Sequence, residues 1–310
     1  MSVDETELRE RLESDDDAVV EATLHEHFHP VPRAPLAYDW CPVIEEHAEH
    51  DEDWVRRLIG VANAAEHRLR AYRFRKRRKK HPDWPVILCE GDSWVAHPQL
   101  RDLTDHLLDE DHFQFNVWAM GAAGDCLDDM AREREQEHAL DVIDAQALLL
   151  SGGGNDLIHG FEALDAIEEP AADRVQQALD TIDPYMSAVM CSMQTVLEGV
   201  RRRAPSLPIV VHGYDYLRVQ EKGKGKYLGP HLDHIGLDDH ERRRYLIRRL
   251  VDRFNDDLVE VAGRVPGVHV VNLRGKATGE WHDEIHPKKD GFEVLAKEVG
   301  RTLKAAIAGD

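Results

Sequence analysis

The chain is short of cysteine, positive charge and long apolar runs, and each shortage removes a class of explanation. Only four cysteines occur in 310 residues, Cys41, Cys89, Cys126 and Cys191. They lie far apart with no Cys-x-x-Cys pair, so neither a zinc site nor a redox dithiol is indicated, and they read as reduced thiols, mostly in the core. Lys and Arg number 39 against 60 Asp and Glu, a formal net charge of −21. Such a field repels phosphates and argues against a general nucleic-acid binder. Arg outnumbers Lys and Asp is abundant, a balance that suits a saline medium where salt screens self-repulsion. No long apolar run is present, and the start, Met1-Ser-Val-Asp-Glu-Thr-Glu7, is acidic. Neither a signal peptide nor a membrane span is therefore visible, and a cytoplasmic location without stable membrane insertion is the expectation. No repeat period or low-complexity tract appears.

What is present suffices for a folded enzyme-sized body. At 42% hydrophobic, the chain can bury one large core, or a core with a smaller appendage. Residues 1–82 read as the appendage, a helical extension. Acidic helical pieces at Glu5–Glu13 and Asp17–Glu26 lead to a Pro-broken link, Pro30-Val-Pro-Arg-Ala-Pro35. Trp54, Leu58, Val61, Ala65 and Leu69 then follow at helical spacing. The pattern ends in Arg73-Phe-Arg-Lys-Arg-Arg-Lys-Lys80, seven of eight residues basic. That run reads as a solvated helix end favoured by the helix dipole, with anionic lipid or nucleic acid as the alternative contact. His25, His27 and His29 alternate just before the link and read as surface residues rather than metal ligands.

From residue 83 to the end, the pattern alternates strand and helix. Apolar runs at Val86–Cys89, Phe113–Met120, Ala147–Leu150, Ile209–Val211 and Val268–Leu273 predict strands. Helices are predicted at Pro98–Leu108, Cys126–Ala139, Val175–Arg203, Glu241–Ala262 and Phe292–Ile307. Five strands with helical crossovers predict a parallel sheet covered on both faces: an α/β fold, a three-layer α/β/α sandwich of flavodoxin-like layout. Residues 214–238, which include Glu221-Lys-Gly-Lys-Gly-Lys-Tyr227, lack clear periodicity and read as an inserted loop or lid at the site edge. That glycine-lysine stretch does not complete the Gly-x-x-x-x-Gly-Lys-Ser/Thr pattern, which excludes a nucleotide loop.

Chemistry-bearing residues follow the ends of these strands. Gly91-Asp92-Ser93-Trp94 follows the first, Met120-Gly-Ala-Ala-Gly-Asp-Cys126 the second and Ser151-Gly-Gly-Gly-Asn-Asp156 the third. Trp281-His-Asp-Glu-Ile-His-Pro287 follows the fifth, with Asp283 three residues before His286. In an open α/β sheet the carboxyl edge is where ligands bind, so four such blocks can converge. Taken one at a time, each block is an ordinary turn or helix cap.

Together, and in this order, they resemble the SGNH hydrolases, also called the GDSL esterase/lipase family. Trp94 stands where the family usually has leucine, which suggests an altered acyl or alcohol pocket wall, and residues 1–82 match nothing in the family core. The resemblance implies a serine esterase with Ser93 as nucleophile, His286 as base and Asp283 as the residue that orients it. It implies an oxyanion hole formed by the backbone N–H of Ser93, that of Gly124 and the amide of Asn155, with no cofactor and no metal. The substrate would be a small-molecule, lipid or carbohydrate ester. The same machinery could serve an acyltransferase or thioesterase, and a catalytically silent binding module is the alternative from another class. Asp92 and Asp156 are read as supporting the turns, and His212 and Tyr214 as lining the pocket. His97, His231, His234 and His282 have less claim to a role.

Overall fold

The computed structural model describes residues 5–14, 16–34, 37–42, 65, 68–97, 100–122 and 124–309. The chain divides into two compact units, Met1–Trp84 and Pro85–Asp310.

The first unit begins with α1 (Glu5–Leu12) and α2 (Asp17–His27). Asp16 caps α2 by accepting the Ala18 N–H at 3.0 Å, which satisfies a donor the helix leaves over. Leu8, Leu12, Val20, Leu24, Phe28 and Ala65 form one buried cluster, most of them four residues apart on a helix face. Arg68 donates to the carbonyls of Leu12 and Ser14 and so covers the free carbonyls at the end of α1.

The Pro-broken link is a strand. β1 (Phe28–Ala34) pairs antiparallel with β2 (Ala37–Pro42). Prolines at positions 30 and 32 hid it, but alternate residues point their N–H groups to the same edge, so both missing donors can face away from the partner. The basic run lies on α3 (68–80), where Arg75, Lys76, Arg78 and Lys79 are exposed and Phe74 is buried. Of the predicted apolar stripe, Ala65 and Leu69 are buried, whereas Trp54, Leu58 and Val61 lie outside the described residues. So do the side chains of His25 and His29. His27 accepts from Arg11 at 3.2 Å.

The second unit contains β3 (Val86–Gly91), α4 (Leu103–Leu107), β4 (Asn116–Ala119), α5 (Leu127–Glu133), α6 (Glu135–Ala139) and β5 (Ala147–Ser151). It continues with α7 (Gly154–Glu162), α8 (Arg174–Arg203), β6 (Ile209–His212), α9 (Gly229–His234), α10 (His240–Gly263), β7 (Val268–Val271) and α11 (Lys289–Ala308). The five strands are all parallel in the order β4-β3-β5-β6-β7, which is the predicted sandwich. β3, β5 and β6 are buried residue after residue, as expected of strands covered on both faces. α4 packs with α11, and α8 packs with α5, α7 and α10. Chain order matters for the site. From β3 the chain moves to β4 on one side and then to β5 on the other, so the direction of winding reverses at β3, where a crevice opens at the carboxyl edge.

Three local readings differ from the sequence expectation. The helix predicted from Pro98 starts at Leu103, because Asp102 and Asp105 form a reciprocal cap there. The helix predicted over 126–139 is two helices, broken at Arg134, whose φ is +57°; the Arg134 guanidinium, bonded to Glu137 at 2.7 Å, secures that turn. Residues 214–238 do not form a bare loop: they contain α9 and bury Tyr227, Leu228, Leu232, Ile235 and Leu237. Of the three cysteine side chains described, only Cys89 is buried, Cys126 being half-buried and Cys191 exposed on α8. All three are free thiols. Among the described residues no helix is long and apolar enough to cross a membrane.

Candidate active site

The carboxyl ends of β3, β4 and β5 and the loop between β7 and α11 form one constellation. Gly91 ends β3 with φ +152°, and a Cβ there would sit 2.3 Å from the Ser151 carbonyl oxygen. Only glycine allows this approach, and it sets the Ser93 turn directly against the end of β5. Asp92 then organises the turn. Its Oδ1 accepts the Trp94 N–H at 3.0 Å and the Ser151 hydroxyl at 2.8 Å. Its Oδ2 accepts the Tyr214 hydroxyl, which itself accepts the Gly154 N–H at 2.9 Å. One carboxylate thus ties together the turns after β3, β5 and β6. Burial, then the Asp92 charge and hydrogen bond, push the Tyr214 phenol well above its usual value, so it stays a neutral donor.

Ser93 is 2% exposed and its Oγ lies 2.7 Å from His286 Nε2. His286 is fully buried, and its Nδ1 lies 2.9 Å from Asp283 Oδ2. The three side chains form an unbroken hydrogen-bonded line. Asp283 holds the loop as well as the imidazole, since its Oδ1 accepts the N–H groups of Ile285 at 2.9 Å and His286 at 2.8 Å. Burial alone would raise the Asp283 carboxyl, but the hydrogen bond and electrostatic interaction with His286, with those two N–H groups, hold it below its ordinary value. A carboxylate kept ionised there fixes the imidazole tautomer with Nε2 toward the serine. The loop closes on itself through a Trp281–Pro287 bridge and the His282 N–H on the His286 carbonyl at 2.8 Å.

Trp94 packs beside the serine turn. It is 3% exposed, its indole N–H donates to the Ile285 carbonyl at 3.1 Å, and its ring packs against Tyr214 and Phe292. Leucine could not make that bond, so the tryptophan fastens the serine turn to the histidine loop. His212 and Tyr214 are also buried, at 0% and 6% exposure, with their rings against that of Trp94.

Gly124, with φ +95°, lies in the turn after β4, closed by the Ala122 N–H on Asp125 Oδ2 at 2.8 Å. Asn155 is buried in the first turn of α7 and its Nδ2 donates to the Asp125 carbonyl at 2.8 Å. Its second amide hydrogen is left for another acceptor. Asp156 links the same two blocks by accepting the Leu127 N–H at 3.0 Å. Among the described residues, no group of three or more His, Cys, Asp or Glu side chains could hold a metal ion.

Two residues that sequence reasoning passed over belong here. His97 is buried with its ring 4.7 Å from that of His286, edge to face. Burial, then the electrostatic effect of the neighbouring His286, pushes it down to about 3, so it is a neutral imidazole whose Nδ1 accepts the Leu100 N–H at 3.0 Å. Only its place four residues after Ser93 could have signalled this. The other is Glu90, 3% exposed on β3 with one carboxyl oxygen unpartnered. Burial, followed by the charges of Asp125 and Glu135, pushes Glu90 up to about 8. Asp125, half-buried, is pushed up to about 7 by burial, partly offset by the Ala122 N–H, with Asp92 adding to the rise.

The raised acids carry a stability consequence. An unfolded Glu90 releases its proton near its ordinary value of 4.5, whereas the folded chain keeps it until about pH 8. Folding therefore loses stability as pH rises across that window and levels off above it. Glu90→Gln makes the neutral form permanent. Its thermal stability should match the parent near pH 5 and exceed it at pH 9, by an amount of order several kcal/mol. Melting curves of the two proteins that stay parallel from pH 5 to 9 would reject this.

An all-parallel five-stranded sheet whose carboxyl edge gathers these four blocks in this order defines the SGNH class of hydrolases. Within it, the model of the GDSL-like lipase/acylhydrolase family matches residues 89–294, more than half of the chain. The chain belongs to that family. Its fold is similar to that of an extracellular lipase from Streptomyces rimosus, at 14% identity and a TM-score of 0.50, over 69% of this chain and 99% of that one. A phospholipase A1 from Streptomyces albidoflavus NA297 is similar at 13% identity and a TM-score of 0.50, over 70% of this chain and 99% of that one. No curated protein sequence matches the chain significantly.

Proposed function

We propose that the protein is a serine esterase that hydrolyses carboxylic esters through an acyl-enzyme. The observation that carries this reading is the hydrogen-bonded line from Ser93 through His286 to Asp283. In the proposed reaction His286 Nε2 takes the Ser93 proton as the serine oxygen bonds to the ester carbonyl carbon. The carbonyl π electrons move to oxygen, and the N–H groups of Ser93 and Gly124 with the Asn155 amide receive the resulting charge. Collapse of that intermediate breaks the bond to the alcohol oxygen, which leaves with the proton held on His286. Water, deprotonated by the same imidazole, then releases the acid and restores the serine. Asp283 stays ionised throughout and stabilises the imidazolium.

Residues 83–310 are proposed to carry this activity, with residues 1–82 as an accessory unit. The deciding experiment is hydrolysis of p-nitrophenyl esters of graded acyl length, with fluorophosphonate labelling, on the full chain and on a chain beginning at His81. Both should hydrolyse short esters and label at Ser93. Absence of turnover and labelling in the full chain would reject the esterase reading. An active full chain with an insoluble truncated one would reject only the division of labour.

A further inference from the structure

Glu284 stands between Asp283 and His286, two residues with assigned work, and has none itself. It is 2% exposed and ionisable, an arrangement that is expensive unless the charge is matched. The matching groups are four successive backbone amides. Glu284 Oε2 accepts the N–H of Lys226 at 2.6 Å, of Tyr227 at 2.6 Å and of Leu228 at 3.2 Å, and Oε1 accepts that of Gly229 at 2.9 Å. Consecutive amides turned toward one point form a nest for an anion, and here the anion is part of the chain. The segment is shaped around it. A Cβ at Gly225 would lie 2.6 Å from Oε1, and the Glu284 carbonyl accepts the Arg218 N–H at 2.8 Å. Residues 218–229 are thereby fastened to the histidine loop at both the backbone and the side chain of one residue.

That attachment reaches the imidazole. Tyr227, whose N–H is one of the four, is buried with its ring 6.3 Å from the His286 ring at 85°. Trp94 holds the loop on the other side through Ile285. The His286 loop is thus gripped at two consecutive residues, 284 and 285, by partners that are distant in sequence.

We propose that Glu284 is a positioning residue for His286, and that the 218–229 segment is a fixed brace for the base, not a moving lid. The proposal rests on the reading of Ser93, His286 and Asp283 as the catalytic line. Reacting groups displaced by about 1 Å can lose ~10²-fold in rate without loss of binding, so the brace should show in turnover and not in affinity.

The test compares Glu284→Gln and Glu284→Asp with the parent, using kcat and KM for p-nitrophenyl acetate and the rate of fluorophosphonate labelling. Glutamine keeps the length but loses the charge and one acceptor, whereas aspartate keeps the charge but cannot reach the amides. Both are expected to lose about ten- to a hundredfold in kcat, with KM nearly unchanged and labelling slowed in parallel. If Glu284 served only as a charge near the site, aspartate would behave like the parent, and that outcome overturns the proposal. Folded variants with unaltered kcat and labelling overturn it equally. Should neither variant fold, Tyr227→Leu leaves the amide nest intact and removes the ring from His286; a similar fall in kcat supports the brace and an unchanged kcat rejects it. A parent protein that neither hydrolyses esters nor takes the label would instead mark failure of the catalytic reading.

Discussion

Ser93→Ala is expected to lower ester hydrolysis by ~10⁴-fold or more and to abolish fluorophosphonate labelling, while the protein stays folded. In the proposed mechanism the hydroxyl is the atom that bonds to the substrate carbon. Ser151 is the nearest alternative in kind, but its hydroxyl is already committed to Asp92 at 2.8 Å. The folding cost should be small. Loss of the 2.7 Å contact leaves His286 Nε2 without that partner, a change worth about 1–3 kcal/mol. Labelled peptide mapping decides the point: full activity in the variant, or a label on Ser151, would remove both the mechanism and its nucleophile.

Asn155→Ala should produce a different kind of defect. In the proposed mechanism the amide contacts the substrate oxygen mainly once that oxygen is charged, so turnover should fall by ~10²–10³ with KM little altered. The fluorophosphonate should still label Ser93, only more slowly. A second effect is built into the geometry, because Asn155 Nδ2 also holds the Asp125 carbonyl at 2.8 Å and so keeps the Gly124 turn against α7. A variant that loses labelling altogether would show that the asparagine builds the site instead of stabilising charge in it. One whose KM rises with kcat unchanged would show that it binds the ground state.

What the sequence disclosed is what short-range pattern can encode. Ser93, Asn155 and the Asp283–His286 pair stood out because each sits in a compact block that follows an apolar run, and the order of blocks follows from a parallel sheet. The strands were legible because strands buried on both faces read as unbroken apolar segments. The rest depended on partners remote in the chain. The bond that Trp94 makes was not legible because its partner, the Ile285 carbonyl, is 191 positions away. Glu284 looked like an arbitrary residue between two important ones because its four donors lie 55 to 58 positions earlier. The β1–β2 hairpin was hidden by prolines that alternation makes harmless, and the break at Arg134 by a left-handed backbone that no glycine announced.

The Ser93–His286 contact spans 193 positions, and this has a consequence for how the chain is made. The serine turn is synthesised ahead of His286, which arrives in the loop before α11, after every strand of the sheet. Closing a loop of that length is entropically unfavourable on its own, so the pair can form only when the assembled sheet holds both ends in place. Nascent or partly folded chains therefore carry the serine without its activator. In the proposed reading, they cannot attack the esters around them before folding is complete.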